Sequence, residues 1–131
     1  SCWHGVTTVV MGNCGFTLAP GKESQRDMVL SNIIRAEDIS PEAMSAAIEW
    51  KWTTFRDYMN VVDTLPKSIN YAANIGHSAL RTYVMGERAF DQKATHDDLG
   101  AMEAELRDAL NPASQRLWIP AMSHGSALCI S

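Results

Sequence analysis

Cys14 is the residue whose type and position most directly invite chemistry. Val6, Thr7, Thr8, Val9, Val10 and Met11 form a β-branched, mostly apolar run between Gly5 and Gly12. Such a run predicts a strand buried on both faces, as in a parallel sheet covered by helices. It stops at Gly12-Asn13-Cys14-Gly15, so a thiol follows the carboxyl end of the strand between two glycines. In (β/α)8 barrels that rim carries the catalytic and metal-binding groups. A cysteine there can be a soft ligand for zinc, a nucleophile, or a small buried hydrophobe.

Other polar groups share the predicted rim. Ser68 to Ile75 reads as a second strand ending at Gly76-His77, so a parallel arrangement puts His77 on the same side as Cys14. His77 can line a site there, or hydrogen-bond the loop or helix start that follows it. Asn13 and Asn74, at the two strand ends, can orient a ligand or satisfy loop backbone. His4 precedes the first strand and belongs at the opposite end, and His96 reads as an exposed first-turn residue. No Gly-x-Gly-x-x-Gly, P-loop, Gly-x-Ser-x-Gly or Cys-x-x-Cys pattern occurs, so nucleotide binding, serine hydrolysis and dithiol redox chemistry lack local support.

The elements that must position these groups are legible from caps and periodicity. Ser24-Gln25-Arg26-Asp27 has the spacing of a capping box ahead of a helix carrying Met28, Leu30, Ile33 and Ile34. Ser40-Pro41-Glu42 opens a short helix, with a cap, a first-turn proline and a first-turn carboxylate. Thr54-Phe55-Arg56-Asp57 repeats the box before a helix with Phe55, Tyr58, Met59 and Val62 on one face. Ser78 is placed to cap another helix, and Thr95-His96-Asp97-Asp98 opens the most amphipathic one, with Leu99, Met102, Leu106 and Leu110 inward. Glu103, Glu105, Arg107 and Asp108 then fall on its solvated face. Trp50, Trp52, Phe55 and Tyr58 form an aromatic group suited to core packing or to a lid. Strand, helices, strand, helices is an α/β order with parallel pairing.

Composition narrows the partners. The 131 residues carry a formal net charge of -4 and are 46% hydrophobic, enough for a core. No Lys/Arg cluster offers a nucleic-acid footprint, and no apolar stretch is long enough for a membrane span. Three widely spaced cysteines, Cys2, Cys14 and Cys129, read as reduced thiols of a cytoplasmic protein rather than a disulfide framework.

The chain resembles the N-acyl-D-amino-acid deacylases (D-aminoacylases) of the amidohydrolase superfamily. The matching residues are Trp3-His4-Gly5-Val6-Thr7-Thr8-Val9-Val10-Met11-Gly12-Asn13-Cys14-Gly15, then Ala19-Pro20, Glu37-Asp38-Ile39 and Trp50-Lys51-Trp52-Thr53-Thr54-Phe55. They continue through Gly76-His77-Ser78-Ala79-Leu80-Arg81, Tyr83-Val84-Met85-Gly86 and the helix from Ala94 to Leu110. The resemblance implies an α/β fold that is part of a metal-dependent (β/α)8 (TIM) barrel, about two to three of its strand-helix units, since a whole barrel needs about 250 residues. With a chain that opens at Ser1 just ahead of a strand, this reads as an internal or incomplete segment.

By the same resemblance the cofactor is Zn2+ and Cys14 is a metal ligand, with Asn13 and His77 as candidate lining. The implied substrate is a small N-acyl-D-amino acid, hydrolysed at its linear amide to a carboxylate and a D-amino acid. The family's His-x-His pair and remaining ligands fall outside this stretch; none of His4, His77, His96 and His124 forms a His-x-His. No catalytic residue is therefore assigned, and the isolated chain is expected to be inactive. The alternatives are a truncated product without catalysis, a small α/β binding module, and a ring-opening amidohydrolase. The resemblance spans residues 1–110. Residues 111–131 diverge from it abruptly at Asn111-Pro112 and are read as a separate tail of out-of-frame sequence.

Overall fold

The computed structural model describes residues 2–111. A 3-10 turn at Cys2–His4 leads into strand β1 (Thr8–Met11). Helices α1 (Arg26–Glu37), α2 (Pro41–Ala47) and α3 (Phe55–Thr64) follow, then strand β2 (Asn70–Ala73) and helices α4 (His77–Met85) and α5 (His96–Ala109). β1 and β2 pair in parallel, with Thr8 opposite Asn70 and Met11 opposite Ala73. A parallel pair needs a long crossover, which α1 to α3 supply. Both carboxyl ends point the same way, and the loops leaving them meet.

Local chemistry accounts for the helix starts. Thr54 Oγ1 accepts from the Asp57 backbone N–H at 3.1 Å, and the Asp57 carboxylate accepts from the Thr54 N–H at 3.0 Å. Thr95 and Asp98 make the same reciprocal pair at 3.2 and 2.9 Å. Ser40 Oγ accepts from the Ala43 N–H at 3.1 Å, with Pro41 in the first turn of α2. Each device satisfies helix-end donors that would otherwise be unpaired.

The expected Ser24 box does not form. Gln25 takes its place at the entry to α1: its Oε1 accepts from the Lys22 N–H at 3.3 Å and its Nε2 donates to the Thr82 carbonyl at 2.9 Å. The longer amide reaches α4, which a serine cannot, so the start of α1 is fixed by a distant helix. Ser78 is also not a cap. Gly76 occupies that position in α4, and Ser78 Oγ is turned back to the loop after β1.

Two apolar clusters hold these elements together. Ala19, Trp52, Phe55, Ala73 and Ala109 form one, joined by half-buried Met11, Tyr58 and Ile75. Leu80, Met85 and Met102 form the other, with Val84 and Leu106 against it. The aromatic residues pack as core: Trp50 stacks on Trp52 at 4.6 Å between centroids, and Tyr58 meets Trp52 edge-on at 5.2 Å.

Helix α5 is rotated from the expected face. It buries Asp98, Met102, Glu105 and Ala109, while Leu99 and Leu110 remain 43% and 45% exposed. Two carboxylates turn it. Asp98 makes a paired hydrogen bond to the Arg88 guanidinium at 2.8 and 3.1 Å, and Glu105 Oε1 accepts from the Phe55 N–H at the start of α3 at 2.9 Å. Glu105 is therefore buried rather than solvated.

β1 also differs from expectation. Its residues alternate between exposed and half-buried, and Val10 is 42% exposed. Val9 and Met11 are half-buried, Met11 against the first apolar cluster, whereas no layer among the described residues covers Thr8 and Val10. The strands are shorter than the runs that announced them, since Val6 and Thr7 precede β1 and only Asn70–Ala73 of the second run is paired. Residues 112–131, which hold all of the expected tail except Asn111, lie outside the described residues.

Candidate functional site: the rim beyond the two strands

The carboxyl ends of β1 and β2 open into two short segments, Gly12 to Thr17 and Asn74 to Ser78, joined by side chains. Asn74, buried at 1% exposure, donates from Nδ2 to Asn13 Oδ1 at 2.8 Å. Ser78 Oγ donates to the Gly15 carbonyl at 2.8 Å. Thr17 Oγ1 accepts from the Gly76 N–H at 3.0 Å and donates to the Ala19 carbonyl at 3.0 Å. The main chain just past β2 adds a bond from the Asn74 N–H to the Met11 carbonyl at 2.9 Å.

Two glycines make this closeness feasible. Gly12 has φ +85°, and a Cβ there would stand 2.7 Å from Thr17 Cγ2 and 3.1 Å from the Asn74 carbonyl oxygen. Gly76 has ordinary backbone angles, but a Cβ would run into the Gly15 carbonyl oxygen and lie 2.6 Å from Thr17 Oγ1. At these positions any side chain would force the segments apart.

Cys14 follows β1 by three residues and is exposed, its Sγ 3.5 Å from the Phe16 carbonyl oxygen. The crevice beside it, about 180 Å³, is mostly apolar and is lined by Met11, Phe16, Leu18, Ile33, Tyr58 and Ala73 among others, but not by Cys14.

Asn13 is exposed and His77 half-buried, the latter in the first turn of α4. Burial, followed by the positive charge of Arg81, lowers the His77 pKa, so its imidazole is neutral at neutral pH. Asn13 is thus joined directly to the β2 side of the rim, and Cys14 is carried between two residues that are joined to it. His4 lies ahead of β1, at the other end of the sheet, and His96 is exposed at the start of α5.

The donor set can be tested against a metal ion. An exposed thiol offers one soft ligand, but among the described residues no group of three His, Cys, Asp or Glu side chains is placed to hold an ion. A catalytic zinc takes three protein ligands and a water. Cys14 can contribute to such a site and cannot form one.

Sequence reasoning missed Thr17, Gly76 and the true role of Ser78. Ser78 had a signal, a hydroxyl at a helix start, but the same pattern serves a cap and a tie to another loop. Thr17 had none, because its partner is 59 residues away in sequence.

Comparison with known proteins supplies a relationship. The chain is 33% identical over 107 residues to the D-aminoacylase of Alcaligenes xylosoxydans xylosoxydans, and equally so to that organism's N-acyl-D-aspartate deacylase. It is 36% identical over 106 residues to an uncharacterized protein of Mycobacterium tuberculosis. These alignments take in 82% of the chain for the two deacylases and 79% for the mycobacterial protein. The chain spans only 19% and 16%, respectively, of the relatives' own lengths. No family model and no solved structure matches it. The chain is therefore a distant relative of part of these deacylases. Among the described residues no helix is long and apolar enough to cross a membrane.

Proposed function

We propose that the chain is part of a zinc-dependent amidohydrolase that cleaves the linear amide of N-acyl-D-amino acids, and that its two strands and their helices belong to a (β/α)8 barrel. The observation that carries this reading is the 33% identity to a D-aminoacylase over 107 residues, most of the chain. The parallel pair, with a thiol just beyond the carboxyl end of β1, is consistent with it.

In this reading Cys14 is a metal ligand, and Asn13 and His77 line the site. When bound, zinc would supply a water of lowered pKa and polarise the amide carbonyl. This chain's own residues present and orient: Asn74 fixes Asn13 beside the thiol, and His77 offers a neutral imidazole on the neighbouring segment. The substrate is a small molecule. Neither nucleic acid nor membrane is a partner, and the protein is cytoplasmic.

A second reading starts from the donor set, which among the described residues places no cluster of three ligands around the Cys14 thiol. In it, this polypeptide by itself is inactive. The two readings are compatible and are separated by experiment. Cys14→Ala in the intact gene product should lower zinc content, measured by atomic emission, together with turnover of N-acetyl-D-amino acids; unchanged zinc refutes the ligand role. The 131-residue chain with added zinc should release no D-amino acid, and measurable turnover by it would overturn the second reading.

A further inference from the structure

We infer that Thr17, Asn74 and Ser78 are positioning residues for the Cys14 thiol, whose loop is held in place by ties across to the β2–α4 segment. The inference rests on the proposed role of Cys14 only for what the thiol does once placed.

The geometry brackets the cysteine. Its predecessor, Asn13, accepts from Asn74, and its successor, Gly15, accepts from Ser78. Thr17 closes the loop by accepting from the Gly76 N–H, while its methyl group fills the space beside Gly12 where a Cβ would stand. The Thr17 hydroxyl is used as donor and as acceptor at once, so it holds one orientation. Within the loop the Gly15 N–H bonds to the Gly12 carbonyl at 3.2 Å, a single turn containing two positive-φ glycines. A glycine turn alone leaves many conformations open, and the three ties from residues 74 to 78 select one.

The test uses amide hydrogen exchange of the 131-residue chain read residue by residue, which does not depend on metal or activity. The informative probe is Gly15, whose own partner is Gly12 and is untouched by the substitutions. Thr17→Val keeps the shape and removes the hydroxyl, and with it two half-buried hydrogen bonds; Gly15 exchange should rise about tenfold or more. Exchange at Leu80 in α4 should stay within about twofold, and Thr17→Ser should restore the slow Gly15 rate. Ser78→Ala, at a half-buried position, is the second variant and decides the matter if Thr17→Val unfolds the chain; it too should speed Gly15 alone.

Wild-type Gly15 exchange in both variants overturns the proposal, as does an equal rise at Gly15 and Leu80 in Ser78→Ala. Zinc content of Cys14→Ala in the intact gene product is measured alongside. If zinc is unchanged while Gly15 still responds, the metal reading falls and the positioning role stands.

Discussion

At the scale of single residues, Glu105 shows how one carboxylate ties two helices and what that costs. Burial raises its pKa, and the Phe55 N–H it accepts from offsets this only in part. A group whose pKa is raised by folding stabilises fully below its ordinary pKa, and that contribution is lost as pH rises through the raised value. Asp98 behaves oppositely. Hydrogen bonds from Arg88 and Thr95 hold it well below the usual carboxylate range, so its contribution is present above the ordinary value and lost only as pH falls through the depressed one. Glu105→Gln keeps an oxygen for the Phe55 N–H and removes the buried charge. It should raise the melting temperature at pH 7 and leave it unchanged at pH 3, where the glutamate is already protonated. Equal shifts at both values would mean that ionisation is not the source. Glu105 was not legible in the sequence, where it reads as one charge in the solvated run Glu103 to Asp108, because its partner lies 50 residues away.

At the scale of elements, the sequence was most informative where one segment satisfies itself. Thr54, Thr95 and Ser40 make the caps their spacing announces, since donor and acceptor sit within a single turn. It was least informative where a distant element decides, as at Gln25, which displaces Ser24, and along α5, where Asp98 and Glu105 turn the helix. The β-branched run of β1 marked a strand, but the face that would bury Val10 is not provided by the described residues. Thr95→Ala should therefore cost about 1 kcal/mol in chemical denaturation. Phe55→Ala, at the centre of the first apolar cluster, should cost about 3–5 kcal/mol. A cap cost near zero would show that the Arg88–Asp98 pair alone sets the start of α5.

At the scale of the whole molecule, the least extensive part among the described residues is the sheet. Among the described residues it has two strands of four residues each, and β1 has one edge without a strand partner among them. A two-stranded sheet is marginal by itself, and open edges are templates for pairing with another chain. Val6 and Val10 add apolar surface beside that edge, at 40% and 42% exposure. In the proposed barrel, further strands would occupy both edges and cover this face. The isolated chain should consequently self-associate, its sedimentation coefficient rising as concentration increases. Val10→Lys puts a charge on the exposed face without removing a core contact, so it should suppress the rise while leaving the melting temperature of dilute samples within about 2 °C, as for an exposed substitution. A wild-type chain that sediments as a monomer at all concentrations and melts reversibly in one sharp step would mean that this edge is already satisfied. The argument that the sheet awaits further strands would then fail.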